Sequence, residues 1–177
     1  MGILMFTARV HDLMHQKHDI QYKLAKITKR IRDLQQYASL VGNGSISIGE
    51  LLSAPGTMMG RTMNYLNYAH NSSMAYMQQN APFMMQMYSQ QLAAAGQQNP
   101  QQQAMMQNYI MRSLYTQARE QAKQVEEKNL NAEEERLQQE KEKLQTLHDE
   151  VAAELKAARE GRDAEIKEMA PKYTANA

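Results

Sequence analysis

Residues 7–41 read TARVHDLMHQKHDIQYKLAKITKRIRDLQQYASLV, and their spacing decides the fold. Val10, Leu13, Lys17, Ile20, Leu24, Ile27, Ile31, Leu34, Ala38 and Val41 alternate at three and four residues without a break. An α-helix turns once in about 3.6 residues, so this spacing draws one stripe down one helical face. Nine of the ten stripe positions are apolar, and neither Pro nor Gly interrupts the run. Thr7 is placed to cap its start, and Gly42-Asn43-Gly44 supplies residues that tolerate positive φ at its end. The stretch predicts an N-terminal coiled-coil helix over 7–41. Lys17, the polar exception, has a stem long enough to carry its charge out to water.

Beyond that helix the composition changes. From Ser45 to Met111 the chain holds eleven of its 15 methionines and five of its 9 tyrosines, with Gln and Asn filling much of the rest. Between Glu50 and Arg112 the only formal charge is Arg61. Ser47-Ile48-Gly49-Glu50 has the pattern of a capping box that opens a short helix, and Pro55-Gly56 ends it. Met59, Met63, Leu66, His70 and Met77 keep helical spacing, which predicts a helix over about 57–79. Asn80-Ala81-Pro82 predicts a break, residues 83–95 a further short helix, and Gly96 to Gln103 a linker. This uncharged, Met/Tyr/Gln-rich middle zone spans 45–103.

The third zone, 104–170, is rich in Glu, Lys, Gln, Ala and Leu, has Gly161 as its one glycine, and ends at Pro171. These are good helix formers, and they predict a long C-terminal coiled-coil helix. Ile110, Leu114, Ala118, Ala122 and Val125 form its first stripe, and Leu130 and Leu137 stand alone in a charged stretch. Leu144, Leu147, Val151, Leu155, Ala158, Arg162, Ile166 and Met169 resume the stripe, with spacings closer to an eleven-residue repeat.

Together the three zones predict an all-α fold: an elongated antiparallel coiled-coil hairpin of two long helices, with shorter helices in the middle zone. Charge supports the pairing. The chain through Glu50 carries seven basic and four acidic residues, and from Arg112 onward twelve basic and fifteen acidic. The basic run Lys23, Lys26, Lys29, Arg30 and Arg32 then finds a match in Glu126, Glu127 and Glu133 to Glu135. The simplest register sets Val41 beside Ile110, Ile27 level with Ala122, and Val10 near Lys141. Val10, Leu13, Ile20, Leu24, Ile27, Ile31, Leu34 and Val41 form the intrachain seam. Leu144, Leu147, Val151, Leu155, Ile166 and Met169 overhang uncovered, as a self-association surface.

Composition excludes several functions. A net charge of +1 on 177 residues is no nucleic-acid footprint, despite Tyr22 and Tyr37 near the basic run. Zero cysteines exclude disulfides and thiolate metal sites. Mean hydropathy is −0.70, and no run reaches the roughly 20 apolar residues of a membrane span. Met1 to Phe6 is an apolar tip without the features of a signal peptide, and Phe6 breaks the myristoylation pattern. The expected location is cytoplasmic, or exported by a dedicated route. No nucleophile elbow, phosphate loop or paired zinc-ligand motif occurs, so no enzyme, catalytic residue or cofactor is expected. His11, His15 and His18 share a helical face and are the weak candidate for a divalent metal. His70 and His148 are isolated, and His70 is expected to be a packed ring.

The layout of terminal coiled-coil helices around a polar, uncharged middle resembles that of subunits of helical secretion filaments. The likeness is architectural, no residue motif carries it, and no site is transferred from it. The expected function is a non-enzymatic, self-assembling helical structural subunit, a homo-oligomer. The alternatives are an adaptor or chaperone-like hairpin that holds a protein partner through the Met-rich zone, and a membrane-interface protein.

Overall fold

The computed structural model describes residues 2–42, 54–94 and 100–169. Among them every regular element is a helix: α1 (Ile3–Gly42), α2 (Met59–Ala94) and α3 (Pro100–Met169). Asn43-Gly44, the capping box at Ser47, residues 96–99 of the expected linker and Pro171 lie outside the described residues.

Each helix differs from its expectation at a boundary, for a physical reason. α1 begins four residues before Thr7. Its first carbonyl is that of Gly2, which accepts from the Met5 and Phe6 amides at 2.8 and 3.4 Å. Thr7 lies inside the helix and its hydroxyl donates back to the Ile3 carbonyl at 2.8 Å. α3 starts at Pro100, four residues early, because the fixed φ of proline suits the first helical turn, where its missing N–H is not needed. The expected break at Pro82 is absent, and α2 runs through it as one helix of 36 residues. An interior proline costs about 3 kcal/mol. Burial around it offsets that: Ala81 packs with Ile110 and Leu114, flanked by Tyr76, Met77, Met84, Met85, Tyr88 and Met106. Just before Pro82, the Asn80 side-chain amide donates to the Tyr76 carbonyl at 2.8 Å.

The chain forms two compact units, one from residues 1–31 with 135–177 and the other from 32–134. In the first, the early part of α1 packs on the late part of α3. Val10, Leu13 and Ile20 bury against Val151, Leu155 and Ala158, with Leu24 and Leu144 beside them. Ile27 and Ile31 bury against Leu137. Arg9 pairs with Glu154, and Gln21 meets His148 at 3.4 Å. Partners on α3 come earlier as those on α1 come later, so the segments run antiparallel.

The register differs from the expected one by about four helical turns. Ile27 packs on Leu137, not level with Ala122, and Val10 faces the 151–158 stretch, not Lys141. The expected overhang is therefore covered: Val151 and Leu155 are buried within the chain and Leu144 is partly so. Leu147, 44% exposed, is off the stripe, and His148 takes the inward position. The stripe through 144, 148, 151, 155 and 158 steps by four, three, four and three. It is a heptad, not an eleven-residue repeat. Ile166 and Met169 remain exposed. Of the apolar tip, Phe6 packs while Leu4 and Met5 are exposed: a Cβ on Gly161 would lie 2.8 Å from the Phe6 ring, so glycine lets that ring rest on the α3 backbone.

In the second unit α3 has two partners, and its buried stripe shows how. Ile110, Leu114, Ala118, Ala122 and Leu130 are buried, and Glu126 is largely so. Steps of four rotate a stripe by about 40° each around the helix. Ile110 and Leu114 thus face α2, while Leu130 joins Leu34, Tyr37 and Val41 of α1, together with Met58. Val125 falls outside this stripe and is exposed.

Fully burying one such aliphatic side chain stabilises by roughly 1.5–3 kcal/mol, and truncating it also leaves a cavity. Leu155→Ala is expected to cost about 2–5 kcal/mol, and Leu147→Ala under about 1 kcal/mol. Urea unfolding followed by circular dichroism measures both, and equal losses would contradict the buried register.

Candidate functional site

The second unit is organised around the one charge of the middle zone. Arg61 lies in the first turn of α2, where its guanidinium reaches both other helices. Its Nε donates to Glu126 Oε1 at 2.8 Å and its Nη1 to Glu133 Oε2 at 2.6 Å. The Tyr37 hydroxyl donates to the same Glu126 oxygen at 2.9 Å, and the guanidinium carbon lies 5.4 Å from the Tyr37 ring centroid. Thr57, just before α2, donates to Asp33 Oδ2 at 2.7 Å. Two carboxylates two helical turns apart on α3 are thus held by one planar fork, the geometry for which arginine is suited.

The electrostatics reflect burial. Burial works against the Arg61 charge, but hydrogen bonds to Glu133 and Glu126 and their negative charges outweigh it, and the guanidinium pKa is raised. Burial pushes the Tyr37 phenol well above its ordinary value, helped by its hydrogen bond to Glu126 and that carboxylate's charge, and opposed by Arg61. Tyr65 is likewise raised, chiefly by burial.

α2 carries apolar side chains on its outer face as well as on its inner one. Its fully buried positions are small: Thr62 and Ser73 each return their hydroxyl to the carbonyl one turn back, at 2.9 and 2.6 Å, and Ala69 and Ala81 lie with them. Small inward residues let helix backbones approach closely. Large apolar side chains lie on both sides of the helix: Tyr76, Met77, Met84, Met85 and Tyr88 pack against the core, while Phe83 is 68% exposed, Tyr68 58% and Met63 49%, with Met59 and Met87 also exposed. Since Arg61 is the only formal charge in α2 and is engaged inward, the outer face of this helix has none. On α3, Met105, Tyr109 and Met111 are exposed as well.

The residues singled out from sequence fall into place unevenly. Val10, Leu13, Ile20, Ile27, Ile31, Leu34 and Val41 are buried, with Leu24 partly so. Of the expected spacing Met59, Met63, Leu66, His70 and Met77, Met59, Met63 and His70 lie outward, while Leu66 is half-buried and Met77 packs against the core. His70 is not a packed ring; it is exposed and its Nδ1 lies 3.0 Å from the Tyr115 hydroxyl. Glu126 and Glu133 are gripped by Arg61 instead of facing the basic run of α1, of which Lys23, Lys26 and Arg30 line a groove with Glu140 and Lys143. His11 and His15 approach each other on α1, and no group of three or more His, Asp or Glu suited to a metal occurs among the described residues. Arg61 and Tyr37 are the pair that sequence reasoning missed. The signal was present: a lone charge in a long uncharged zone needs a partner.

No protein-family description, curated protein or solved structure matches the chain. Function has to be read from the side chains themselves.

Removing the fork strands two carboxylates on one face of α3. Arg61→Met is expected to destabilise the chain by about 1.5–3 kcal/mol, as for hydrogen bonds to charged groups. Thermal melts of parent and variant test this, and an unchanged melting temperature would show the network to be idle. Tyr37 gives a pH signature. The folded phenol keeps its proton where the unfolded one, at about 10, loses it. The folded state then binds more protons, so this contribution is present below about pH 10 and falls as pH rises beyond it. The stability gap between parent and Tyr37→Phe is expected to hold up to about pH 9 and to narrow as pH rises above about 10.

Proposed function

We propose that this chain is a self-assembling helical structural subunit, in which α1 and α3 pair as an antiparallel coiled-coil hairpin and α2 supplies the contact between copies. The observation that carries the reading is the outer face of α2. Soluble proteins keep charge on their surfaces, and a contiguous apolar patch rimmed by polar groups marks an interaction site. Here a helix of 36 residues presents Met, Tyr and Phe among Gln, Asn and Ser, with its single charge engaged internally.

The chemistry of that face suits a second copy of itself. Self-association juxtaposes like surfaces, and an uncharged one carries no like-charge penalty. Methionine adapts to irregular packing, and Gln and Asn hydrogen-bond across an interface in either direction. The alternative, an adaptor that holds a different protein on the same face, differs in one respect: the chain alone would stay small. A membrane-interface role is less well supported, because interfacial helices carry a Lys/Arg-rich polar face and α2 has Arg61 alone. No described helix is long and apolar enough to cross a membrane. No catalytic role is proposed.

Phe83 and Met87 lie one turn apart on the exposed side of α2. The double change Phe83→Asp and Met87→Asp is expected to leave helicity intact and to shift the mass toward monomer. Light scattering across a concentration series measures this. A parent that stays monomeric at every concentration would sink the reading, as would a variant that assembles like the parent.

A further inference from the structure

His11 and His15 occupy successive turns of α1 on its exposed side. Their Nε2 atoms lie 3.3 Å apart, while their ring centroids are 4.4 Å apart with the planes inclined at 69°. The ring tips are closer than the ring centres, so the rings lean together and bring the two Nε2 atoms side by side. The backbone that carries them is held firmly. Leu13, midway between them, is fully buried in the seam, and Val10, beside His11, is buried with it.

We propose that His11 and His15 form a two-ligand site for a borderline divalent metal ion of the Zn²⁺ class. Imidazole nitrogens bind Zn²⁺ at about 2.0–2.1 Å, and in a tetrahedral shell two such ligands stand about 3.3 Å apart. That is the spacing found here. Both rings bind through Nε2 and so carry their proton on Nδ1, where solvent accepts it. The neighbouring charged groups are engaged elsewhere: Arg9 pairs with Glu154 and Asp12, and Asp12 also accepts from Gln16 at 3.0 Å. Among the described residues no third ligand joins them, so water fills the remaining positions and the ion stays exchangeable. A clip across one helical turn favours the helical state of α1, and a ligand bound by the folded state alone raises its stability by mass action.

The competing account of the same distance is a hydrogen bond, with one Nε2–H donating to the other ring's lone pair. Titration of the full chain with Zn²⁺ alone, followed by calorimetry, separates the two. The expected result is saturable uptake of one ion per chain, lost in His11→Ala and in His15→Ala but kept in His18→Ala and His70→Ala. Both ligand rings are exposed, so their replacement leaves the seam whole, and circular dichroism checks that each variant stays helical. The proposal is overturned if the parent shows no saturable uptake, if either single ligand variant still binds like the parent, or if His18→Ala also loses the ion.

Discussion

Everything in this structure depends on covering the apolar stripe of α1. The stripe is narrow, and an isolated helix with such a stripe gains little from its own backbone bonds in water. Stability comes from the surface that lies against it. In the first unit that surface is α3 from Leu137 to Ala158, and in the second it is Leu130 of α3 together with Met58. Once a long helix is committed to covering another, its own stripe has to face the same way along the shared length. His148 illustrates the strength of that demand. It takes an inward position while Leu147, a better apolar residue, is left facing outward.

The second unit solves a different problem. Three helical segments meet there, and α2 places large apolar residues on both its inner and its outer face. Its most deeply buried positions, Thr62 and Ser73, are small and polar and bury little apolar area themselves. The Arg61 network compensates by fixing where α2 sits. One fork holds two carboxylates of α3 and lies over the Tyr37 ring of α1, so one side chain specifies the placement of all three segments. Desolvation offsets much of the attraction between paired charges of this kind, so their net contribution to stability is smaller than their geometry suggests. The same arrangement leaves the outer face of α2 without charge, which joins the internal architecture to the proposed assembly.

The two histidines of the proposed metal clip depend on the seam in a similar way. Their geometry is set by a helix whose opposite face is locked at Val10 and Leu13. A flexible segment with the same residues would have no defined nitrogen spacing and would have to lose conformational entropy to form the site.

Much of this was legible in the amino acids alone. The unbroken three-and-four spacing from Val10 to Val41 required a helix with one buried face, and the Ala, Leu, Glu and Lys content of the last zone required a second long one. Lack of cysteine, near-neutral charge and lack of catalytic motifs narrowed the chemistry. The register of α1 against α3 was not legible, because heptad stripes are periodic: sliding one past the other by whole repeats preserves the match of apolar to apolar. Only specific contacts break that degeneracy, such as Phe6 on Gly161 and Arg9 with Glu154, which join residues far apart in the chain. The continuity of α2 through Pro82 was likewise hidden, since its cost is local and the burial of Ala81 that offsets it is tertiary. So was the orientation of α2, whose methionine spacing fits either an inward or an outward face until Arg61 finds its two carboxylates.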